Sequence, residues 1–256
     1  MTNKVKHRAL ISVSIILLIA FFGTGAYLLG WSSLLPVKTV SLIVTGPNDP
    51  TFNSNQFINN YLHTYHDDVV VGTPIARLQI NQIKNQLKQL EWLEESQISR
   101  GWLSGKVIIK VIERVPIATM STANASGTIS YIDKQGIVFH SPKHYGTLPP
   151  IVFPTHSSGA TTLGNNAGSP ELHSIAAEFV TKLPSTLIES VQSIEIFRSD
   201  DIEMETSFHS PYLQVKWGGL DEFDSKVAVL YKLLALPENQ SITVVDVTDP
   251  SSPIVR

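Results

Sequence analysis

The sequence predicts an α+β protein with a single N-terminal transmembrane helix, a small β-α-α-β-β domain, and a mixed β-domain with two or more helices packed on a sheet. Residues 9–30 carry no charge, helical and strand periodicities alternate along the remainder, and Pro116 separates two strand-rich regions. The predicted organisation is a cytoplasmic tail at 1–8, a transmembrane helix at 9–30, and domains at 36–116 and 117–256.

The amino-acid composition excludes several classes of function. The chain has 256 residues and a net charge of −3, without the concentrated basic surface that phosphate binding needs, so nucleic acid is not an expected partner. It has no cysteine, which excludes disulfides, cysteine nucleophiles and thiolate metal sites.

The N-terminal stretch 9–30 has the length and apolar character of a membrane span. Basic residues precede it at Lys4, Lys6 and Arg8. The positive-inside rule therefore predicts a cytoplasmic N-terminus and an extracytoplasmic C-terminus, in a single-pass protein of the cytoplasmic membrane. The alternative is a signal peptide cleaved near residues 24–26, although its apolar region would be unusually long.

The first domain is predicted from periodicity. β-branched alternation indicates a strand at 37–44, and apolar residues at helical spacing indicate helices at 53–65 and 80–90. Two further strands follow at 93–100 and 106–113, around a turn between Gly101 and Gly105.

The second domain begins with a hairpin whose turn, Lys134-Gln135-Gly136, places glycine where a positive φ is expected. Residues 141–168 are rich in Ser, Pro, Gly, Thr and Asn and indicate a long surface loop. The remaining predicted elements are a helix at 169–183, strands at 191–197, 202–207 and 212–217, a helix at 221–236 and a strand at 242–247.

Several motifs have a family resemblance. One set is Arg100, Trp102, Glu113, Arg114, Pro116 and Ala118, with Leu103 where the family usually has proline. The others are Tyr131-Ile132-Asp133 with Gly136 and Val138-Phe139, then Leu148-Pro149, then Asp246 with Pro250, Pro253 and Arg256. In this order they resemble the bacterial division proteins of the FtsQ/DivIB family, in which the small domain is a POTRA domain.

The resemblance implies a scaffold of the division septum with no cofactor. Implied partners are FtsB/FtsL-like coiled-coil proteins and, further, FtsW-type and penicillin-binding proteins. The strand at 242–247, with its continuation to residue 254, is the candidate sheet edge for an added partner strand; the alternative is the last strand of a closed sheet. The candidate contacts are Lys226, Tyr231, Lys232, Val244, Val245, Asp246, Val247, Thr248, Asp249, Pro250, Ser251, Ser252, Pro253 and Ile254.

The sequence has no pattern typical of a catalytic site, so we expect the protein not to be an enzyme. The group His63, His66, Asp67 and Asp68 and the acidic run Asp200, Asp201, Glu203 and Glu205 are interpreted as solvated residues instead of metal ligands. The rival function is a membrane-anchored extracytoplasmic hydrolase using His144, His156 or Asp201. A chaperone built on POTRA units is a further alternative, although the chain has a single such unit.

Overall fold

The computed structural model describes residues 13–25, 27, 35–47, 49–65, 71–120, 129–157, 160–162, 168–209 and 212–256. The chain divides into two compact units, Met1–Gly46 with Pro50–Glu113, and Pro47–Asp49 with Arg114–Arg256. The sequence predicts a domain boundary at residue 116.

The N-terminal helix differs from the predicted membrane span at 9–30. Helix α1 is described over residues 13–25, and its large apolar side chains, such as Ile16 and Phe21, are exposed. Among the described residues, no helix combines the length and the apolar character needed to cross a membrane. The predicted single transmembrane helix is therefore wrong as a description of this structure; the predicted tail 1–8 lies outside the described residues.

The first unit follows the order strand, helix, helix, strand, strand. Its elements are β1 (Thr39–Thr45), α2 (Ser54–Tyr65), a 3-10 turn (Ile75–Arg77), α3 (Ile80–Leu87), β2 (Leu93–Gly101) and β3 (Lys106–Glu113). Strand β3 lies in the middle of the sheet, parallel to β1 and antiparallel to β2. Alternation on β3 buries Val107, Ile109 and Val111.

The second unit is built on a nine-stranded mixed sheet. The strands are β4 (Pro116–Met120), β5 (Ser130–Asp133), β6 (Val138–His140), β7 (Pro150–Val152), β10 (Val191–Arg198), β11 (Asp201–Thr206), β12 (Leu213–Gly218), β13 (Val244–Asp246) and β14 (Ile254–Val255). Their order is β14-β13-β12-β11-β10-β7-β4-β5-β6. Two short strands, β8 (Thr155–Ser157) and β9 (Ala160–Thr162), form a separate hairpin. The α+β class with mixed sheets agrees with the sequence prediction.

Helices cover one face of this sheet. They are α4 (Pro170–Lys182), α5 (Ser185–Ile188) and α6 (Phe223–Leu234), and the Ser169 hydroxyl caps α4 by accepting from the N–H of Leu172. Trp217 of β12 is fully buried, stacked on Phe223 with ring centroids 5.1 Å apart and edge-on to Phe179 at 5.7 Å. Such aromatic contacts add to the free energy gained by burying apolar area.

The segment 141–168, expected to be a loop, contains a central strand. β7 lies between β4 and β10 and is parallel to both, with Ile151 fully buried. The sequence pattern misses this strand because it has three residues, begins with proline and precedes another proline at position 154. Its existence depends on pairing with distant strands instead of local periodicity.

A buried ion pair joins two of the family-like motifs. Arg114 donates from Nη1 to Asp133 Oδ2 at 2.6 Å. The other carboxylate oxygen of Asp133 accepts from the N–H groups of Gln135 and Ile137, both at 2.9 Å. Pro116, two residues after Arg114, begins β4, where its missing N–H is tolerated at the strand's first position. Asp133 therefore fixes the hairpin turn and ties the start of β4 to β5.

We expect Gly136→Ala to lower the free energy of unfolding by about 2–4 kcal/mol, combining left-handed strain with overpacking. Gly136 has φ +78°, and an added Cβ would lie 2.9 Å from the Cα and N of Ser174. The measurement is urea unfolding followed by tryptophan fluorescence, to which the buried Trp217 of the same unit contributes.

The matched control is Gly146→Ala, where φ is +72° but no atom lies within 4 Å of the added Cβ. We expect that variant to lose only about 1 kcal/mol. Equal losses in the two variants would contradict the close approach of the β5–β6 turn to α4.

Candidate partner-binding surface

The C-terminal strands place one of the two edges of the nine-stranded sheet at β14, and β6 forms the other. β13, the predicted edge, lies between β12, to which it is parallel, and β14, to which it is antiparallel. The predicted edge strand at 242–247 therefore lies inside the sheet, because the chain turns back after residue 247 and pairs Ile254–Val255 with it. Ile254, the end of the predicted continuation, lies in the edge strand itself.

Register shows which backbone groups of β14 face outward. Val244 and Arg256 exchange two hydrogen bonds: Val244 N–H donates to Arg256 O at 3.1 Å and Arg256 N–H to Val244 O at 2.9 Å. In an antiparallel ladder, hydrogen-bonded and non-hydrogen-bonded pairs alternate. The next pair, Val245 and Val255, is therefore non-hydrogen-bonded, and the N–H and C=O of Val255 point away from β13. Ile254 beside it is 50% exposed.

The turn between β13 and β14 is ordered by its own side chains. Asp246 accepts from the N–H of Thr248, and Asp249 accepts from the N–H and the hydroxyl of Ser251 at 2.9 and 2.6 Å. These bonds, led by the Ser251 hydroxyl, hold the pKa of Asp249 below its ordinary value. The exposed candidate contacts in this stretch are Thr248, Asp249, Ser251, Ser252 and Ile254. Val244, Asp246, Pro250 and Pro253 are half-buried, whereas Val245 and Val247 are fully buried.

Lys226 is removed from the candidate contacts by its position. Its side chain is 0% exposed, and Nζ donates to the carbonyls of Trp217 and Gly219, both at 3.0 Å, and to Asp221 Oδ1 at 3.3 Å. Lys226 therefore holds the connection between β12 and α6 together through hydrogen bonds made on its buried side. The sequence gives no sign of this, because a lysine on a helix is ordinarily solvated.

The other two candidates on α6 are Tyr231 and Lys232. The Tyr231 hydroxyl is 2.7 Å from the Thr186 hydroxyl, and its ring packs edge-on against Phe208 at 5.5 Å. Lys232 is exposed. The described interactions of Tyr231 therefore run toward the segments before β10 and after β11, and do not join it to β13 or β14.

The sheet face opposite the helices carries a transverse row of charges leading to the edge. Register aligns Ile254 with Asp246, then Lys216, Glu203 and Glu195. Glu203 accepts from Lys216 Nζ at 2.6 Å and from Gln214 Nε2 at 2.7 Å. We call this row, from β14 to β10, the charged row.

Glu195 and Lys216 of the charged row have pKa values that are shifted by different causes. Partial burial, followed by repulsion from Glu205 and Glu203, raises the pKa of Glu195. The hydrogen bond to Glu203, followed by the attraction of Glu203 and more distant carboxylates, outweighs burial and raises the pKa of Lys216. On the neighbouring row the Tyr212 hydroxyl donates to Glu205 at 3.0 Å, which raises the pKa of that phenol. Glu203 and Glu205 are thus strand residues on the open face of the sheet. Their alternation with the buried Ile202 and Met204 is the sequence pattern that indicates this position.

The residues considered for catalysis do not form a described site. Asp201 pairs with Arg198 at 3.4 Å, and His144 is exposed. The side chain of His156, and residues His66 to Asp68, lie outside what the structure describes. Within the described part of the chain no group of three metal-ligating side chains converges.

A short sheet edge beside a charged open face is a geometry that accepts an added strand from another chain. Two curated proteins, each named cell division protein FtsQ, from Rickettsia felis and Rickettsia conorii, are 37% identical to this chain over 65 residues. The match spans 25% of this chain and 23% of each relative. No protein-family model matches the chain. Over the part they cover, the two relatives support the FtsQ-like family that the sequence motifs indicate.

We expect Glu195→Gln to raise the free energy of unfolding at pH 7, by less than about 1 kcal/mol because solvent screens a half-exposed charge. The raised pKa means that the folded state holds this proton more tightly than the unfolded chain. Ionising Glu195 therefore lowers stability as pH rises from the ordinary glutamate range through the folded pKa. The gain should vanish when unfolding is measured below about pH 4, where both states are protonated.

Glu203→Gln is the control for that substitution. Because Glu203 is hydrogen-bonded to Lys216 and Gln214, removing its charge should not stabilise the protein at pH 7. A gain at Glu203 equal to that at Glu195 would contradict the described pairing.

Proposed function

We propose that this chain is a scaffold of the bacterial division machinery, which links other division proteins at the septum through its second unit. Two kinds of observation support the proposal. The relatives are named cell division protein FtsQ, and Arg114 and Asp133 bring together two of the motifs that resemble this family.

The observation that carries the binding mode is the β14 edge. A partner segment that pairs with Val255 would extend the sheet by one strand, using the outward N–H and C=O of that residue. β14 has only two residues, and Pro250 and Pro253 interrupt the chain before it. Side chains of the added strand would then select the partner through the exposed Ile254 and the charged row.

The proposed partners are FtsB/FtsL-like coiled-coil proteins, with FtsW-type and penicillin-binding proteins as further members of the same assembly. A segment following a coiled coil can supply an extended strand to an edge of this length. The proposed contacts are the exposed residues of the β13–β14 turn, together with Ile254 and Val255. Tyr231 and Lys232 would belong to a separate contact, since the structure does not join them to the turn.

The binding test is Val255→Pro, which removes the outward N–H without removing a bond to β13. We expect capture of a co-expressed FtsB/FtsL-like pair to weaken by about tenfold or more, from the lost hydrogen bond and the steric effect of the ring. Val255→Ala keeps the N–H and is the matched control, expected to bind nearly as the unchanged chain does. Undiminished capture by a folded Val255→Pro variant would rule out strand addition at β14.

The cellular test is a fluorescent fusion of the full chain followed through division while the native copy is depleted. We expect label at midcell and a block in septation that the unchanged chain relieves. Val255→Pro should relieve the block less well than Val255→Ala. Uniform label and normal septation after depletion would contradict a division role, whatever the binding result.

A further inference from the structure

The hairpin between β2 and β3 presents apolar side chains to solvent. Leu103 is 91% exposed and Trp102 is 43% exposed, side by side at the end of the hairpin. We call residues 101–106 the hairpin tip. Single exposed apolar residues are common on protein surfaces, but an adjacent tryptophan and leucine at a protruding turn form a patch.

Trp102 is held in place from behind. The Arg100 guanidinium lies 4.4 Å from the centre of the Trp102 ring. Arg100 Nη1 is also 3.3 Å from the carbonyl oxygen of Ile75 and 3.4 Å from that of Leu78. The indole therefore stacks on a cation that is itself anchored to the 3-10 turn, so its presentation to solvent is fixed.

Three hydrogen bonds lie within the hairpin tip. Gly105 N–H donates to Gly101 O at 2.9 Å, the Ser104 hydroxyl donates to the same oxygen at 3.2 Å, and Lys106 N–H donates to Ser104 Oγ at 3.3 Å. These bonds lower the cost of entering a region of low polarity, because the groups that make them do not lose a water partner there.

Two lysines flank the hairpin tip, whereas the described acidic residues of this unit lie far from it. Lys106 pairs in register with Gly101 at the tip, and Lys38 runs beside Gly105, whose added Cβ would lie 2.9 Å from Lys38 Cγ. Both lysines are exposed. The described acidic residues of the unit lie at the opposite end of the sheet, roughly 25 Å away along the strand; they are Glu91, Glu94, Glu95 and Glu113.

We propose that the hairpin tip is a contact site for an anionic lipid surface. Tryptophan favours the level of lipid headgroups, leucine favours the apolar region below it, and lysines beside them attract acidic headgroups. The tip supplies all three on one rigid turn, which matches an interface between apolar and anionic layers better than it matches a protein groove. This inference goes beyond the scaffold role and does not depend on partner binding at β14.

The test uses the full chain, whose lack of cysteine makes an introduced thiol a unique labelling site. Leu103→Cys carries a spin label whose depth is read by its accessibility to oxygen and to a water-soluble nickel complex. The matched control is Glu94→Cys, an exposed position at the other end of the unit. The probes are vesicles of phosphatidylcholine alone and of phosphatidylcholine mixed with phosphatidylglycerol.

On the anionic vesicles we expect the label at position 103 to be in lipid and the label at position 94 to stay in water. Lys38→Gln with Lys106→Gln should lower the ratio of lipid-contacting to water-exposed label by about fivefold per lysine removed. Lys38→Arg with Lys106→Arg, which keeps both charges, should leave the ratio unchanged.

Three outcomes would overturn the proposal. The first is a label at position 103 that remains in water on anionic vesicles. The second is equal immersion on the two kinds of vesicle, which would remove the anionic lipid from the assignment. The third is no difference between the glutamine and arginine variants, which would remove the lysines.

Discussion

The ion pair between Arg114 and Asp133 is the constraint on which the second unit depends. Both side chains are largely removed from solvent, so either charge alone would carry a large desolvation cost. The structure offsets this cost by giving the Asp133 carboxylate three donors, one from Arg114 and two from the hairpin turn. β4 lies inside the sheet, between β5 and β7. By holding the start of β4 against β5, the ion pair therefore fixes a strand that has neighbours on both sides.

The two faces of that sheet differ in burial and polarity. One face is covered by α4 and α6 and holds the aromatic cluster around Trp217. The other is polar and leads, strand by strand, to the β14 edge. The connection through α6 returns the chain parallel to β12, which places β13 beside it and leaves β14 as the last strand. Local hydrogen bonds of Asp246 and Asp249 then turn the chain back, so that the edge is formed by two residues alone.

Sequence periodicity anticipates the elements whose stability is local. The helix at 170–182, capped by Ser169 and followed by Pro184, and the turn at Gly136 are examples, because a cap and a positive φ leave their signature within a few residues. β7 and β14 are different, since each has two or three residues that are strands only because distant partners flank them. The burial of Lys226 and the interior position of β13 are also tertiary facts. The charge-free stretch at 9–30 predicts a membrane span, whereas among the described residues no helix has the length and the apolar character to cross a membrane.

The enclosure of Lys226 has a consequence for the chemistry of the folded protein. An ammonium group with no exposed surface and two carbonyl partners cannot meet an acylating reagent or an acetyltransferase while the β12–α6 connection is closed. Exposed lysines such as Lys232 react at once, whereas Lys226 reacts only in molecules that have opened. Acylation would neutralise that amine and add bulk where no space exists, so a chain modified there before folding could not close the same connection. This single amine therefore distinguishes molecules that were acylated before folding from those acylated afterwards.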